Sequence, residues 1–260
     1  MKFLFVGDIV GKPGRTAVRT LVPRLKAAHG LDFCIGNSEN SAGGAGITPE
    51  SADELLKTLD LLTSGNHTWS KREIVPYLAR EGSKQLRPAN YPDAPGRGFA
   101  ILEKQGLKLG VINLEGRVFM RSLDDPFRAA DTLLERMHAA GVRSVLVDFH
   151  AEATSEKNAM GHHLDGRASA VLGTHTHIQT ADSRVLAGGT AYQTDVGMCG
   201  PWDSVIGMAK ENAIARFITQ RHSPYEVAQN DTYLQGAIVE IDDATGRARS
   251  ILRVQERLDE

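Results

Sequence analysis

Five short polar blocks carry the residues able to do chemistry: Asp8 in "FVGDIV", Glu39 and Asn40 in "GNSEN", Asn66 and His67 in "SGNHTW", His150 in "DFHAE", and His175 with His177 in "GTHTH". Carboxylate, amide and imidazole together make an oxygen and nitrogen donor set with no thiolate in it. Asp8, Glu39, Asn66, His150, His175 and His177, with Asn40 as a further member, exceed the four ligands of a single zinc and suit two ions sharing one carboxylate. Mixed imidazole and oxygen donors favour iron, manganese or zinc over magnesium or calcium. Taken singly each residue has a plainer reading, because an aspartate after a strand often caps a helix and one histidine in a turn is usually structural. Four of the nine histidines placed in this way, together with Glu39 and Asp8, point to a site.

The positions of these blocks follow from the elements around them. Apolar runs of four to seven residues, each followed by turn residues and a helix-period stretch, predict βα units with a largely parallel sheet. The runs are "KFLFVG", "DFCIG", "LLTSG", "SVLVDF" and "SAVLG", and every block above begins where one of them stops. Neighbouring parallel strands end side by side, and that edge is where α/β sheets bind ligands. Between the runs, "TPESADELLKTL" reads as a helix with Thr48 as N-cap and Pro49 at its first position, and "DDPFRAADTLLERMHAAG" as a helix stopped by Gly141. Residues 98–114 and 233–255 read as hairpins, so a mixed sheet or a second sheet is expected. Nothing divides the chain, and one domain over residues 1–260 follows.

A net charge of −2 and a pI near 6.5 give no overall basic field, which argues against long nucleic acids and favours short nucleotides, with room for a local basic patch. Two cysteines are too few for a disulfide framework: Cys34 sits in an apolar run and Cys199 in a Gly-flanked loop, and a reducing, cytoplasmic setting is expected. Asp8 and the Gly/Pro turn residues after it interrupt "MKFLFVGD" where a signal peptide would continue, and no segment reaches membrane-spanning length. "GDIVGKPGR" has three residues between its first Gly and "GK", with Pro13 after it, so it misses the P-loop; Gly7, Gly11 and Gly14 miss the dinucleotide spacing. Ile9 occupies the position where a GDS-type hydrolase needs serine, and no G-x-S-x-G elbow occurs.

"GD" after the first strand, "GNSEN", "GNH" and "GTHTH" resemble the blocks of calcineurin-like metallophosphoesterases. The forms "FVGDIVGKPGR", "GNSENSAGGAGIT", "SGNHTW", "DFHAEATSEK", "GTHTHIQTAD" and "YQTDVGMCGP" are similar to the YmdB-type bacterial subfamily, which includes phosphodiesterases acting on 2′,3′-cyclic nucleotides. The resemblance runs from residue 4 to about 201. It implies mixed β-sheets sandwiched by α-helices (α/β/β/α), with Asp8 and His177 on one metal, Asn66, His150 and His175 on the other, and Glu39 bridging. Val10 stands where the superfamily's first block has a ligand histidine, and Asn40 looks like its replacement. The subfamily favours iron, with manganese as substitute. A hydroxide shared by the two metals would attack phosphorus. His67, beside Asn66, is expected to protonate the leaving alkoxide as general acid. A small phosphodiester or cyclic nucleotide is the expected partner, without membrane or long nucleic acid, and a homo-oligomer is compatible. The reading from another class is a regulatory or scaffold protein that binds metal and nucleotide with little turnover.

Around these, "SAGGAGIT" brings backbone near a substrate or is a crossover, and loops at 41–48, 117–126 and 152–166 are expected to select the substrate. His29 and His138 belong at helix ends, His162 and His163 in a solvated pair, and His222 in a turn. Asp195 and Cys199 are near-site candidates.

Overall fold

Alternation along the first strand sets the architecture. In the computed structural model, which describes residues 1–221 and 226–259, Phe3 and Phe5 of β1 (Lys2–Val6) point to one side and Leu4 and Val6 to the other, and all four are fully buried. A strand buried on both faces must lie in a sheet covered on both sides. Leu4 and Val6 join Cys34 and Leu62 in packing against Val18, Leu21 and Leu55 of helices α1 (Gly11–His29) and α2 (Pro49–Leu55). Phe3, Phe5, Phe33 and Ile35 instead meet Leu109, Val111, Leu146 and Leu172 of a second sheet. That second sheet turns Ile112, Leu114, Val147 and Phe149 outward onto α4 (Pro126–Ala139) and α5 (Thr154–His163). Three apolar layers therefore separate four layers of structure, α/β/β/α.

The first sheet has the order β2 (Asp8–Ile9), β11 (Met198–Pro201), β12 (Thr232–Ile241), β1, β3 (Phe33–Asn37), β4 (Leu61–Thr63), and β12 also pairs with β13 (Ala248–Arg257). The second runs β5 (Phe99–Lys104), β6 (Leu107–Glu115), β7 (Val145–His150), β8 (Ala170–Thr174), β10 (Ala191–Gln193), β9 (Arg184–Val185). Strands β1, β3 and β4 are parallel, as are β6, β7 and β8, while β5–β6 and β12–β13 are the two expected hairpins. Register places Asn37 beside Thr63, Glu115 beside His150 and His150 beside Thr174, so both sheets bring their carboxyl ends to one edge. Two short helices, α3 (Ile74–Leu78) and α6 (Lys210–Thr219), complete the fold. No helix among the described residues is long and apolar enough to cross a membrane.

The expected helix signals act as read: the Thr48 hydroxyl accepts from Ser51 N, and Gly141 follows α4 with φ +76°. Three readings are corrected. The Gly/Pro residues after Asp8 form the first turn of α1 rather than a loop, because Pro13 lies where a helix has no donor to lose, and Gly14 lets the helix meet the Cys199 carbonyl. Cys199 itself lies in β11, fully buried, instead of in a loop. Residues 154–163, within the stretch read as a loop, are α5; polar side chains on a partly exposed helix hid its period.

Candidate metal centre

Strand ends from both sheets supply the centre. Glu39 and Asn40 follow β3, Asn66 and His67 follow β4, His150 ends β7, and His175 and His177 follow β8. Asp8, Glu39, Asn40 and His150 are 1 % exposed or less, whereas the His67 ring is 37 % exposed. The buried carboxylates and imidazoles thus form the floor, and His67 stands at the mouth.

The ring nitrogens show what the floor is shaped to hold. His150 Nδ1 lies 2.9 Å from Thr174 Oγ1, and that hydroxyl donates to Asp148 Oδ1 at 2.8 Å. The hydroxyl proton is therefore used, so Nδ1 carries the imidazole proton and Nε2 keeps its lone pair. His175 Nε2 faces the Glu152 carboxylate at 3.0 Å and must donate to it, which leaves Nδ1 as the bare nitrogen. His177 Nδ1 faces the Ile206 carbonyl at 2.9 Å, leaving its Nε2 bare by the same reasoning.

Two of these bare nitrogens converge. His150 Nε2 lies 3.1 Å from His175 Nδ1, 3.2 Å from Glu39 Oε1 and 3.0 Å from Asn66 Oδ1. Glu39, His150 and His175 place ligand atoms within 4.8 Å of one another. Four lone-pair atoms facing one point need a positive charge there. With no ion bound a proton on His150 meets that need: burial disfavours a charged His150, yet Glu39 and Asp8 outweigh it and push the imidazole up to about 9, so a metal would take the place of that proton on Nε2. Burial and the neighbouring His150 push His175 down to about 3. Burial raises the Glu39 carboxyl, but His150 and His67 overcome this and hold it well below its usual range.

A second set adjoins the first. His175 N donates to Asp8 Oδ2 at 3.0 Å, and burial raises the Asp8 carboxyl against the opposing pull of His177 and His150. Asp8 Oδ1 and Asn40 Oδ1 are buried with no hydrogen-bond partner among the described residues. Orphaned buried acceptors are costly unless something fills the space between them. Gly65 leaves the room, since a Cβ there would collide with the His150 ring and Glu39. The donor set and the orphaned atoms fit a metal.

His67 Nδ1 lies 3.3 Å from Glu39 Oε1 and 3.1 Å from Asn40 Nδ2, and its backbone N–H donates to Glu39 Oε2 at 3.0 Å. The interaction with Glu39, working against burial, raises its pKa. "SAGGAGIT" forms a folded turn rather than a loose crossover, with Ala42 N donating to Gly46 O and Asn40 Nδ2 to Gly44 O.

Several residues at the centre carried no signal in the sequence. Asp148 and Thr174 orient His150, Glu152 orients His175, and Asn37 donates to Asp148 at 3.0 Å. A search for carboxylates one turn or strand away from each histidine would have found Asp148 and Glu152, but not their partners. Asp195 lies beside the centre, against the turn that carries its histidines. Fully buried, its Oδ2 accepts from Lys157 Nζ at 2.8 Å and from Thr176 N and Oγ1 at 3.0 and 2.7 Å, and its Oδ1 from Gly197 N at 2.8 Å. Thr176 sits between His175 (φ +99°) and His177 (φ +64°), so Asp195 clamps a left-handed turn that neither histidine prefers. Cys199 donates its thiol to the Gly14 carbonyl and, among the described residues, makes no hydrogen bond to the centre's side chains. His162 and His163 are exposed at the end of α5, where His163 pairs with Asp131, and His29 and His138 lie in the last turns of α1 and α4. His222 lies outside the described residues.

The clamp predicts a specific defect. Asp195→Asn leaves the buried Lys157 ammonium unpaired, at a cost of about 3–5 kcal/mol, and should weaken metal retention roughly 10- to 100-fold. Adding Lys157→Met should recover the melting temperature while metal retention stays low. Recovery of both in the double variant would show that the carboxylate has no role in holding the turn.

Comparison with known proteins places the chain. It is 48% identical over 256 residues to a 2′,3′-cyclic-nucleotide 2′-phosphodiesterase of Bacillus subtilis, covering 98% of this chain and 96% of that one. The crystal structure of a hypothetical protein from Thermus thermophilus superposes with a TM-score of 0.92 at 43% identity, covering 99% of both chains. That of a novel phosphatase from Mycoplasma pneumoniae gives 0.92 at 32%, covering 99% of this chain and 93% of that one. The two mixed sheets between helices are the metallophosphoesterase fold. With the YmdB-like protein family model matching residues 4–254, the chain belongs to that family.

Proposed function

We propose that this chain is a single metallophosphoesterase domain over residues 1–260 that hydrolyses small phosphodiesters, with 2′,3′-cyclic nucleotides as substrates, in the cytoplasm. The observation that carries the reading is the convergence of His150 Nε2, His175 Nδ1, Glu39 Oε1 and Asn66 Oδ1 around one point, each able to offer a lone pair to a cation there. Asn66, His150 and His175 would hold one ion, Asp8, Asn40 and His177 a second, and Glu39 both. Iron suits this donor set, with manganese or zinc as substitutes. When bound, such ions supply Lewis acidity at the phosphoryl oxygens and acidify a water.

The chain's own residues do the rest. Thr174 and Glu152 fix which nitrogen of His150 and His175 faces inward, and Asp195 fixes the turn between His175 and His177. His67, at the open side and tethered through its backbone to Glu39, gives the departing 2′-oxygen its proton. Two free, buried cysteines fit a reducing compartment.

Elemental analysis of protein purified without chelators tests the reading, run with hydrolysis of bis-p-nitrophenyl phosphate and 2′,3′-cyclic AMP. About two ions per chain, and hydrolysis lost in His177→Ala, are expected. One ion or none, without hydrolysis of either ester, would overturn it in favour of a regulatory or scaffold role.

A further inference from the structure

Beside the metal centre lies a basic track that hydrolysis of a mononucleotide does not use. Strand β6 ends at Glu115, in register with His150, and the segment that follows carries Arg117, Phe119 and Arg121. Its root is pinned: Glu156 accepts from Arg117 N at 2.9 Å and Val118 N at 3.2 Å, and Gly116 abuts Ala151, the neighbour of the Glu152 that touches His175. Its far end is held by Asn90, whose side chain donates to Glu115 O and Asp124 O at 2.9 and 3.0 Å. On this fixed segment Phe119 is 89 % exposed at φ +62°, a conformation that a bulky side chain avoids. Its ring has no core to explain it.

From Asp124 a cleft of about 650 Å³ continues down the flank of α4 to Arg136. Arg128, Thr132 and Arg136 line it at four-residue intervals, one stripe of the helix, opposite Arg87 and Arg97. The Arg87 guanidinium is fixed by donation to the carbonyls of Pro88, Ala89, Ala94 and Pro95. Neither Arg128 nor Arg136 forms an ion pair among the described residues, and Arg136 lies over the Phe99 ring at 4.9 Å. Of the two acids in the cleft, Asp125 is already engaged by Phe127 N, Arg128 N and Arg117. Four arginines against two aspartates make the cleft positive in a chain whose net charge is −2.

Resting on the phosphodiesterase reading of the centre, we propose that the substrate class is a short single-stranded oligoribonucleotide ending in a 2′,3′-cyclic phosphate. The cyclic end enters the metal centre, a preceding base stacks on Phe119, and upstream phosphates lie on Arg128 and Arg136. Eight residues along a helix separate those two arginines by ~12 Å, a reach that an extended strand covers in very few nucleotides. Alternating cations and an exposed ring are how proteins hold single strands without reading their sequence.

Fluorescence anisotropy of a 5′-labelled trinucleotide ending in a 3′-phosphate, with full-length protein, tests this apart from turnover. Tighter binding than 3′-AMP is expected, with log Kd rising against log salt at a slope of about 1.4 for two phosphate contacts. Arg128→Ala with Arg136→Ala should remove most of that slope, lysine at both positions should keep it, and Phe119→Ala should weaken binding roughly tenfold. Turnover of 2′,3′-cyclic AMP should stay unchanged in both the alanine and the lysine variants of Arg128 and Arg136. Trinucleotide binding no tighter than 3′-AMP, or a slope unaltered by the double alanine variant, would overturn the proposal and leave the free cyclic mononucleotide as substrate. Loss of hydrolysis on every ester with the anisotropy intact would sink the phosphodiesterase reading instead and leave the strand-binding cleft standing.

Discussion

His67→Ala should keep its metals and lose turnover of 2′,3′-cyclic AMP by roughly 10²- to 10⁴-fold, the usual contribution of a positioned general acid. Hydrolysis of bis-p-nitrophenyl phosphate should fall far less, by under about tenfold, because nitrophenolate leaves without needing a proton. The contrast between the two esters is the decisive reading, since damage to the metal centre would depress both equally. The geometry favours a selective effect. His67 meets the centre through Asn40 and Glu39 rather than through His150 or His175, and its ring is the most exposed of the four imidazoles around the centre. Removing it leaves the His150–Thr174–Asp148 and His175–Glu152 contacts in place. Equal losses on both esters with full metal content would make His67 a positioning residue and end its assignment as the proton donor.

Stripping the metals should abolish hydrolysis and lower the melting temperature by on the order of 10 °C. Ions present at a roughly thousandfold excess over Kd stabilise the folded state by about 4 kcal/mol, and each kcal/mol shifts the melting temperature by roughly 2–4 °C in a chain of this size. The effect should be large because Glu39 follows a strand of the first sheet while His150 and His175 end or follow strands of the second, so a cation held by all three would tie the sheets together. Glu39→Gln should mimic the stripped protein most closely, as it removes the carboxylate proposed to serve both ions, whereas Asn66→Ala should lose close to one ion per chain. Differential scanning calorimetry with elemental analysis of the same samples checks both. An unchanged melting temperature after removal of all metal would mean that the strand ends are held without it, and the ligand assignment would fail.

The sequence by itself determined where the candidate centre sits along the chain. A strand is marked by local apolar runs and a helix start by Thr48 or Pro49, and because parallel strands end together, the polar residues after each run had to share one edge. Asp8, Glu39, Asn66, His150 and His175 were legible for that reason. Only the tertiary structure decided which ring nitrogen of each histidine faces inward. That depends on Thr174, Glu152 and the Ile206 carbonyl, partners that pattern does not mark because each is an ordinary residue of its own element. The same holds for Asp195, whose clamp on Thr176 spans 19 residues and whose buried cation comes from α5. It holds also for Cys199 and the α1 turn, where Gly14 and β11 meet across 185 residues. Periodicity reports the face that an element buries; it carries no information about which atom waits on the other side, and hydrogen-bond donors and orphaned acceptors are defined only when that atom is in place.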